Sequence, residues 1–525
     1  MNTTPIRVIY ATSPPEGATP TRSAHSSTRR PGRPHTPREP WSRNRVVRLA
    51  GLVTVAALVA ALTISALLRP AAGQGAPTLP AAVTISVFLL AVWAWTSTTL
   101  DDTLVAFLAA VALIITGVLP SEAFFASLGD ETIWLLICAF IIATGVSSSG
   151  LALRGAAQLL RHARSPRALF HLTTLALTIT TFAVPATSGR AALAIPVFTA
   201  LAASLVERAA LIRALSLLFP TVILLSAVGS LLGAGAHVIT SQLLESATGQ
   251  GFGFIAWLWF GLPLAIVSSH VACEIVLLRF TARADRRAGI RITLADLARK
   301  APTPVSGPLS ALERRAAALL GGVVLMWCTE SLHHVPPALV ALLGAVVAVS
   351  PVIGCTTLPV AVKKVPWTLL LFLAATLALA SALTGTGAAA WLGQLALAPM
   401  AALGPAAGIA FVLVVIALSL LAHLMIPSRS ARSAAIIPLV VVLAPGLGVD
   451  PAAAAFASTA AAGFCHTLPS SAKPVAMFAD PDLVSEGFQP RDLRSLSVIL
   501  GPAMFLLVAG FAFWIWPAMG MPLLI

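Results

Sequence analysis

Four cationic side chains stand in polar breaks of otherwise apolar stretches: Arg190, Arg429, Arg432 and Lys473. A charge held at mid-bilayer costs roughly 2.5 to 3.5 kcal/mol on insertion scales, so such residues mark function or a specific structural task. Hydroxyls accompany them, with Thr187 and Ser188 ahead of Arg190 and Ser428 and Ser430 on either side of Arg429. Guanidinium, ammonium and hydroxyl donors gathered at one point favour an anion. The plainer alternative is that Arg190 and Arg432 bind backbone carbonyls as clamps or snorkel to an interface. His237 and His466 lie in two further breaks, where a near-neutral imidazole suits a proton carrier or a partner for a freed carbonyl. His270 and Glu274, four apart on one helix face, have the spacing of a proton relay, but Glu274 lies at the basic end near Arg279 and reads as a plain ion pair there; Glu330 with His333 and His334 reads as an interfacial cluster. No metal site and no cofactor is expected.

The surrounding chain explains why these charges are exceptional. Of 525 residues 58% are hydrophobic and 10% charged, against about 25% charged in a soluble domain, which excludes an ordinary soluble protein. Apolar runs long enough to cross a bilayer recur throughout, at about 46–68, 81–98, 103–119, 133–150, 216–241, 252–278, 316–332, 336–353, 366–385, 453–478 and 495–517. The fold class is therefore an all-α polytopic membrane protein of about eleven transmembrane helices. Two longer stretches, 168–206 and 405–446, are each long enough for two helices but interrupted midway, and read as hairpins that enter the membrane and return, two complete spans in each being the alternative with the same topology parity. Residues 1–45, rich in Pro, Ser, Thr and Arg, form an expected disordered tail. Residues 279–315 form a basic linker between a first half, 46–278, and a second half, 316–525. The five cysteines lack C-x-x-C spacing and read as small hydrophobes.

The net charge of +14 does not call for nucleic acid. With the N-terminus inside, 28 of the 33 Lys and Arg fall in cytoplasmic segments and one, Arg69, falls outside, as the positive-inside rule requires of a plasma-membrane protein. The remaining four are the cations above. They sit in a repeat: Val184–Pro196 and Ile426–Pro438, offset by 242 residues, superpose Pro185 on Pro427, Ser188 on Ser430, Arg190 on Arg432 and Pro196 on Pro438. By span count the first hairpin opens inward and the second outward. Inverted repeats with broken helices are the architecture of secondary transporters, with substrate at the repeat interface. A half-helix starting inside the membrane turns unpaired N–H groups and its positive dipole end toward that space.

These residues resemble the divalent anion:sodium symporter family of the ion transporter superfamily. The likeness spans roughly residues 80 to 520 and rests on Ile133-Trp134 through Ser149-Gly150-Leu151, Phe260-Gly261 with Pro263-Leu264, Val365-Pro366-Trp367 and Leu468-Pro469. The resemblance implies an elevator-type homodimer in the lipid bilayer. It also implies a Ser-Asn-Thr triplet at each hairpin tip, for which this chain has Ala186-Thr187-Ser188 and Ser428-Arg429-Ser430. The family's Thr-Pro-Pro-Asn breaks stand here as Ala234-Gly235-Ala236-His237 and Ala472-Lys473-Pro474-Val475. These departures remove oxygen ligands for sodium and add cations. Lys473, with His237 and His466, is then expected to replace or couple to a cation, the coupling ion being a proton or sodium.

The expected function is secondary transport of small anions, di- or tricarboxylates or similar oxyanions. The substrate residues are Thr187, Ser188, Arg190, Ser428, Arg429, Ser430 and Arg432. A cation:proton antiporter or metalloid exporter of the same superfamily is the alternative, and an intramembrane enzyme using Ser and His a remote one. No Walker element or zinc-protease motif is present, which argues against an ATP-driven pump.

Overall fold

The computed structural model describes residues 41–68, 76–298, 303–400, 404, 406–480 and 482–525. The expected disordered tail lies outside the described residues as far as residue 40, as does Arg69. Residues 1–48 and 49–525 form separate units by their contacts.

Helices fill the second unit. The first half of the chain comprises α1 (Trp41–Leu68), α2 (Leu79–Ser97), α3 (Asp102–Ile115), α4 (Ser121–Ser127), α5 (Glu131–Ser149), α6 (Leu151–Leu160), α7 (Pro166–Ala183), α8 (Thr187–Ser204), α9 (Ala209–Leu225), α10 (Gly235–Thr248) and α11 (Phe254–Phe280). Two short helices, α12 (Arg283–Arg287) and α13 (Leu294–Ala298), lie in the basic linker. The second half comprises α14 (Ala311–Cys328), α15 (Glu330–His333), α16 (Pro337–Val349), α17 (Leu358–Lys364), α18 (Trp367–Gly385), α19 (Ala388–Met400), α20 (Ala407–Leu421), α21 (Arg429–Leu443), α22 (Pro451–Ala461), α23 (Lys473–Phe478), α24 (Pro490–Gly510) and α25 (Trp516–Ala518). Eight segments among the described residues are long and apolar enough to cross a membrane. The protein is an all-α polytopic membrane protein. Two segments expected as full spans are shorter helices: α3 stops before Gly117, whose φ of +71° breaks the turn, and α16 stops at Ser350-Pro351.

The order of elements repeats, with α2 to α5 matched by α14, α16, α17 and α18, and α6 to α11 matched by α19 to α24. The halves are interwoven: α3 packs on α18 while its counterpart α16 packs on α5, and α10 packs on α21 while α23 packs on α8 and α9. Each expected hairpin is a pair of helices, α7–α8 and α20–α21. Ser165 and Ser428 start one arm of each by accepting a backbone N–H in their helix's first turn, from Ala168 at 3.2 Å and from Ala431 at 3.3 Å. Each broken span is also a pair, α9–α10 and α22–α23. An 18-residue window within Ala209–Gly229 is 94% buried, so α9 runs through the core, with Arg213 paired to Asp492. Phe198 of α8, Phe219 of α9 and Phe478 of α23 stack within 5.5 Å of one another, fastening the second broken span to the first hairpin. Thr240 and Thr459 hydroxyls, 2.6 Å apart, join the two broken spans.

Candidate substrate cavity

Both broken spans are interrupted in the same way. After α9 the chain makes two 3₁₀ turns, Ser226–Gly229 and Leu231–Gly233, then Ala234 is extended at φ −155°, ψ 148° and α10 begins. After α22 it passes a 3₁₀ turn at Pro469–Ser471, then Ala472 is extended at φ −158°, ψ 145° and α23 begins. Neither Ala caps the helix it precedes with a side chain. At the first hairpin tip Ala186, at φ +72°, likewise leaves α8 without a side-chain cap. Small residues at these helix starts keep the first-turn N–H groups free and let other atoms approach.

A cavity of about 430 Å³ collects these starts. Ala186, Thr187 and Ser188 line it from α8, Ala234 to Ala236 from α10, Ser428 to Ser430 from α21, and Ala472 to Pro474 from α23. Pro366, Thr368 and Leu369 close it from α18, and Asp102 from α3. Four helix N-termini thus meet one space, three of them, α8, α10 and α23, without a side-chain cap, and their dipole ends make it favourable to an anion. The volume suits a small molecule.

The cations divide. Lys473 and Arg429 line the cavity. Lys473 is exposed. The Arg429 guanidinium is pushed into the second break, with Nη2 3.5 Å from where a Cβ on Gly463 would stand, and its three nitrogens are buried without a hydrogen-bond partner. Arg432, one turn on, is fully buried, and its three nitrogens also lack a hydrogen-bond partner of normal geometry. Arg190 differs. It lies outside this cavity, and its guanidinium donates to the Thr180 hydroxyl at 3.1 Å, the Ile223 carbonyl at 2.9 Å, and the Leu177 carbonyl and Ser226 hydroxyl at 2.7 Å each. At the repeat offset Ile223 becomes Cys465, while the two hydroxyl partners become Ala422 and Leu468. Arg190 is therefore a saturated clamp between α8 and the first break, and Arg432 is the same clamp deprived of its hydroxyl acceptors.

Both candidate proton carriers stand apart from the cavity. His237 is fully buried, stacked on Trp257 with ring centroids 5.0 Å apart, and holds the Ser230 carbonyl at 2.9 Å through Nδ1. His466 is fully buried, with Nδ1 3.2 Å from the Cys465 amide nitrogen. Each packs into its break rather than facing a solute. Glu274 pairs not with Arg279 but with Arg167 at 2.8 Å and His171 at 2.5 Å, and His171 meets His270 at 2.8 Å. Arg154 of α6 is buried against Glu313 at 2.5 Å. The cavity residue that sequence reasoning missed is Asp102. Its signal was an acidic pair, Asp101-Asp102, at the start of an apolar run, which also reads as a plain helix cap.

The model of the citrate transporter family matches residues 88–461, which include both hairpins and the first broken span. The chain belongs to the citrate transporter family. It is a membrane transporter of small solutes, not an enzyme, and the likeness read from its motifs holds at the level of the ion transporter superfamily. A membrane protein of Cupriavidus necator is 26% identical over 400 residues, 74% of this chain and 76% of that one. The fold resembles the Alcanivorax borkumensis YdaH transporter (TM-score 0.53, 15% identity, covering 92% of this chain and all of that one). It also resembles Neisseria gonorrhoeae MtrF, described as illuminating a class of antimetabolite efflux pumps (TM-score 0.57, 11% identity, 91% and 96% covered).

Proposed function

We propose that this citrate-family chain is a secondary active carrier of di- or tricarboxylates across the plasma membrane, with its N-terminus cytoplasmic and no strict need for sodium. The observation that carries the reading is the convergence of four helix N-termini with Arg429 and Lys473 on one cavity. Thr187, Ser188, Ser428 and Ser430 supply hydroxyl donors to the substrate, Arg429 and Lys473 its counter-charges, and Arg432 a second guanidinium behind the tip. Hairpins and broken spans move together as an elevator against α2–α5 and α14–α18 in a homodimer, with the hairpins re-entrant and the halves inverted. The charge distribution supports this orientation, and it places the loops beside Asp102, Pro366 and Lys473 on the cytoplasmic side. Lys473, standing where the related family has a sodium-site residue, replaces the bound cation.

A second reading, cation:proton antiport, draws on one observation, the carboxylate of Asp102 in the cavity wall. Uptake of labelled citrate, succinate and sulfate into proteoliposomes, with and without sodium, separates the two. Carboxylate uptake in sodium-free buffer, lost in Arg429→Ala, is expected. Uptake that rises strictly with sodium overturns the coupling assignment, and cation flux without anion uptake favours the second reading.

A further inference from the structure

Asp102 is the one acidic residue lining the cavity among the described residues, and it is not the residue that caps its helix. The preceding Asp101 already caps α3, accepting from Thr103 N at 2.9 Å and Leu104 N at 3.3 Å. The backbone around Asp102 is fixed on two sides: Trp95 Nε1 donates to its carbonyl at 3.2 Å, and the Thr103 hydroxyl donates to the Thr368 carbonyl at 3.0 Å. A carboxylate with no capping duty is thereby held at the cavity on a helix that belongs to neither hairpin nor broken span. Its side chain shares the cavity wall with Ser428 and Lys473. Ser428 Oγ accepts from Ala431 N, which leaves its proton free to donate to the carboxylate. Of the helices packed on α3, neither α2 nor α18 carries a charged side chain. Asp101, the adjacent acid, and Lys363 and Lys364 at the end of α17 are exposed. Lys473 across the cavity and the N-terminus of α3, in whose first turn Asp102 stands, therefore answer the Asp102 charge, and Lys473 and Ser428 are groups that a substrate carboxylate also needs.

Resting on the carboxylate-carrier reading, we infer that Asp102 is a tethered competitor: in the unloaded carrier its carboxylate occupies the place beside Ser428 and Lys473, and an anionic substrate binds by displacing it. Asp102 is then a specificity-setting residue that prevents the cavity from holding any small anion too tightly to release. Protonating Asp102, or removing its charge, frees the site. The competition is present at high pH, where the carboxylate is ionised, and fades as pH falls.

The test is equilibrium binding of labelled citrate to the purified full chain, comparing the wild type with Asp102→Asn and Asp102→Glu over a series of pH values. Arg429→Ala serves as the control for the underlying site, and melting temperatures check folding. Asp102→Asn is expected to bind roughly five- to tenfold more tightly at high pH, the worth of one charge-assisted hydrogen bond, with the ratio to wild type shrinking toward one at low pH. Asp102→Glu keeps the wild-type profile. Equal or weaker binding by a folded Asp102→Asn, with an unchanged pH profile, overturns the inference while leaving the carrier reading intact. If neither the wild type nor Asp102→Asn binds citrate, the carrier reading itself fails and this one with it.

Discussion

Arg190 and Arg432 occupy the same position in the two halves and meet opposite circumstances. Four hydrogen bonds hold Arg190, whereas the three guanidinium nitrogens of Arg432 are buried with none. A buried polar group is costly chiefly when its partners are missing. Arg190→Met is therefore expected to strand the Leu177 and Ile223 carbonyls and to lower stability by about 3 to 5 kcal/mol, seen as a lower melting temperature in detergent. Arg432→Met is expected to leave the unliganded protein as stable as before or slightly more so, while weakening the stabilisation that citrate confers. Equal losses of melting temperature in both variants would contradict the distinction. The sequence could expose the pair, since the repeat aligns them, but not their difference. That difference lies in Thr180 and Ser226 against Ala422 and Leu468, positions whose proximity only the folded backbone reveals.

At the scale of elements, the interruptions of both helix pairs and both broken spans were legible, because proline and small polar residues divide apolar runs too long for one helix. Boundaries at 168–206 and 405–446 correspond to α7–α8 and α20–α21. Short helices such as α4, α6, α17 and α19 were not legible: each has too few residues to show a period and reads as loop or span end. The swapped packing of α3 on α18 and α16 on α5 left no trace either, since contacts between distant segments are not written in local pattern. One element carries local strain. Ala186 starts α8 at φ +72°, a region L-residues avoid, while its counterpart Ser428 starts α21 at φ −71°. Ala186→Gly should relieve about 1 kcal/mol and raise the melting temperature. A fall would mean that the Ala186 methyl packs favourably enough to outweigh the strain.

For the whole molecule, the proposed orientation and the proposed site draw on the same 33 basic residues, most of them assigned to topology and a few to the solute. Orientation has a native reporter in Cys328 at the end of α14, exposed while the other four cysteines are buried. A membrane-impermeant thiol reagent applied to intact cells is expected to label the protein at this one residue, and labelling should vanish in Cys328→Ser. Labelling only in inverted vesicles would reverse the topology and the inward placement of the loops near Asp102. The interwoven halves also mean that the cavity takes lining from α3, α8, α10, α18, α21 and α23 at once, so a shift of the hairpin-bearing body relative to the rest must reshape it. The central claim remains that this shared space holds a carboxylate against Arg429 and the helix starts. Equilibrium binding of labelled citrate to the purified carrier tests it most directly: saturable binding in sodium-free buffer, reduced at least tenfold in Arg429→Ala and unaffected in the surface variant Lys363→Ala, is the predicted result, and undiminished binding by folded Arg429→Ala would contradict it.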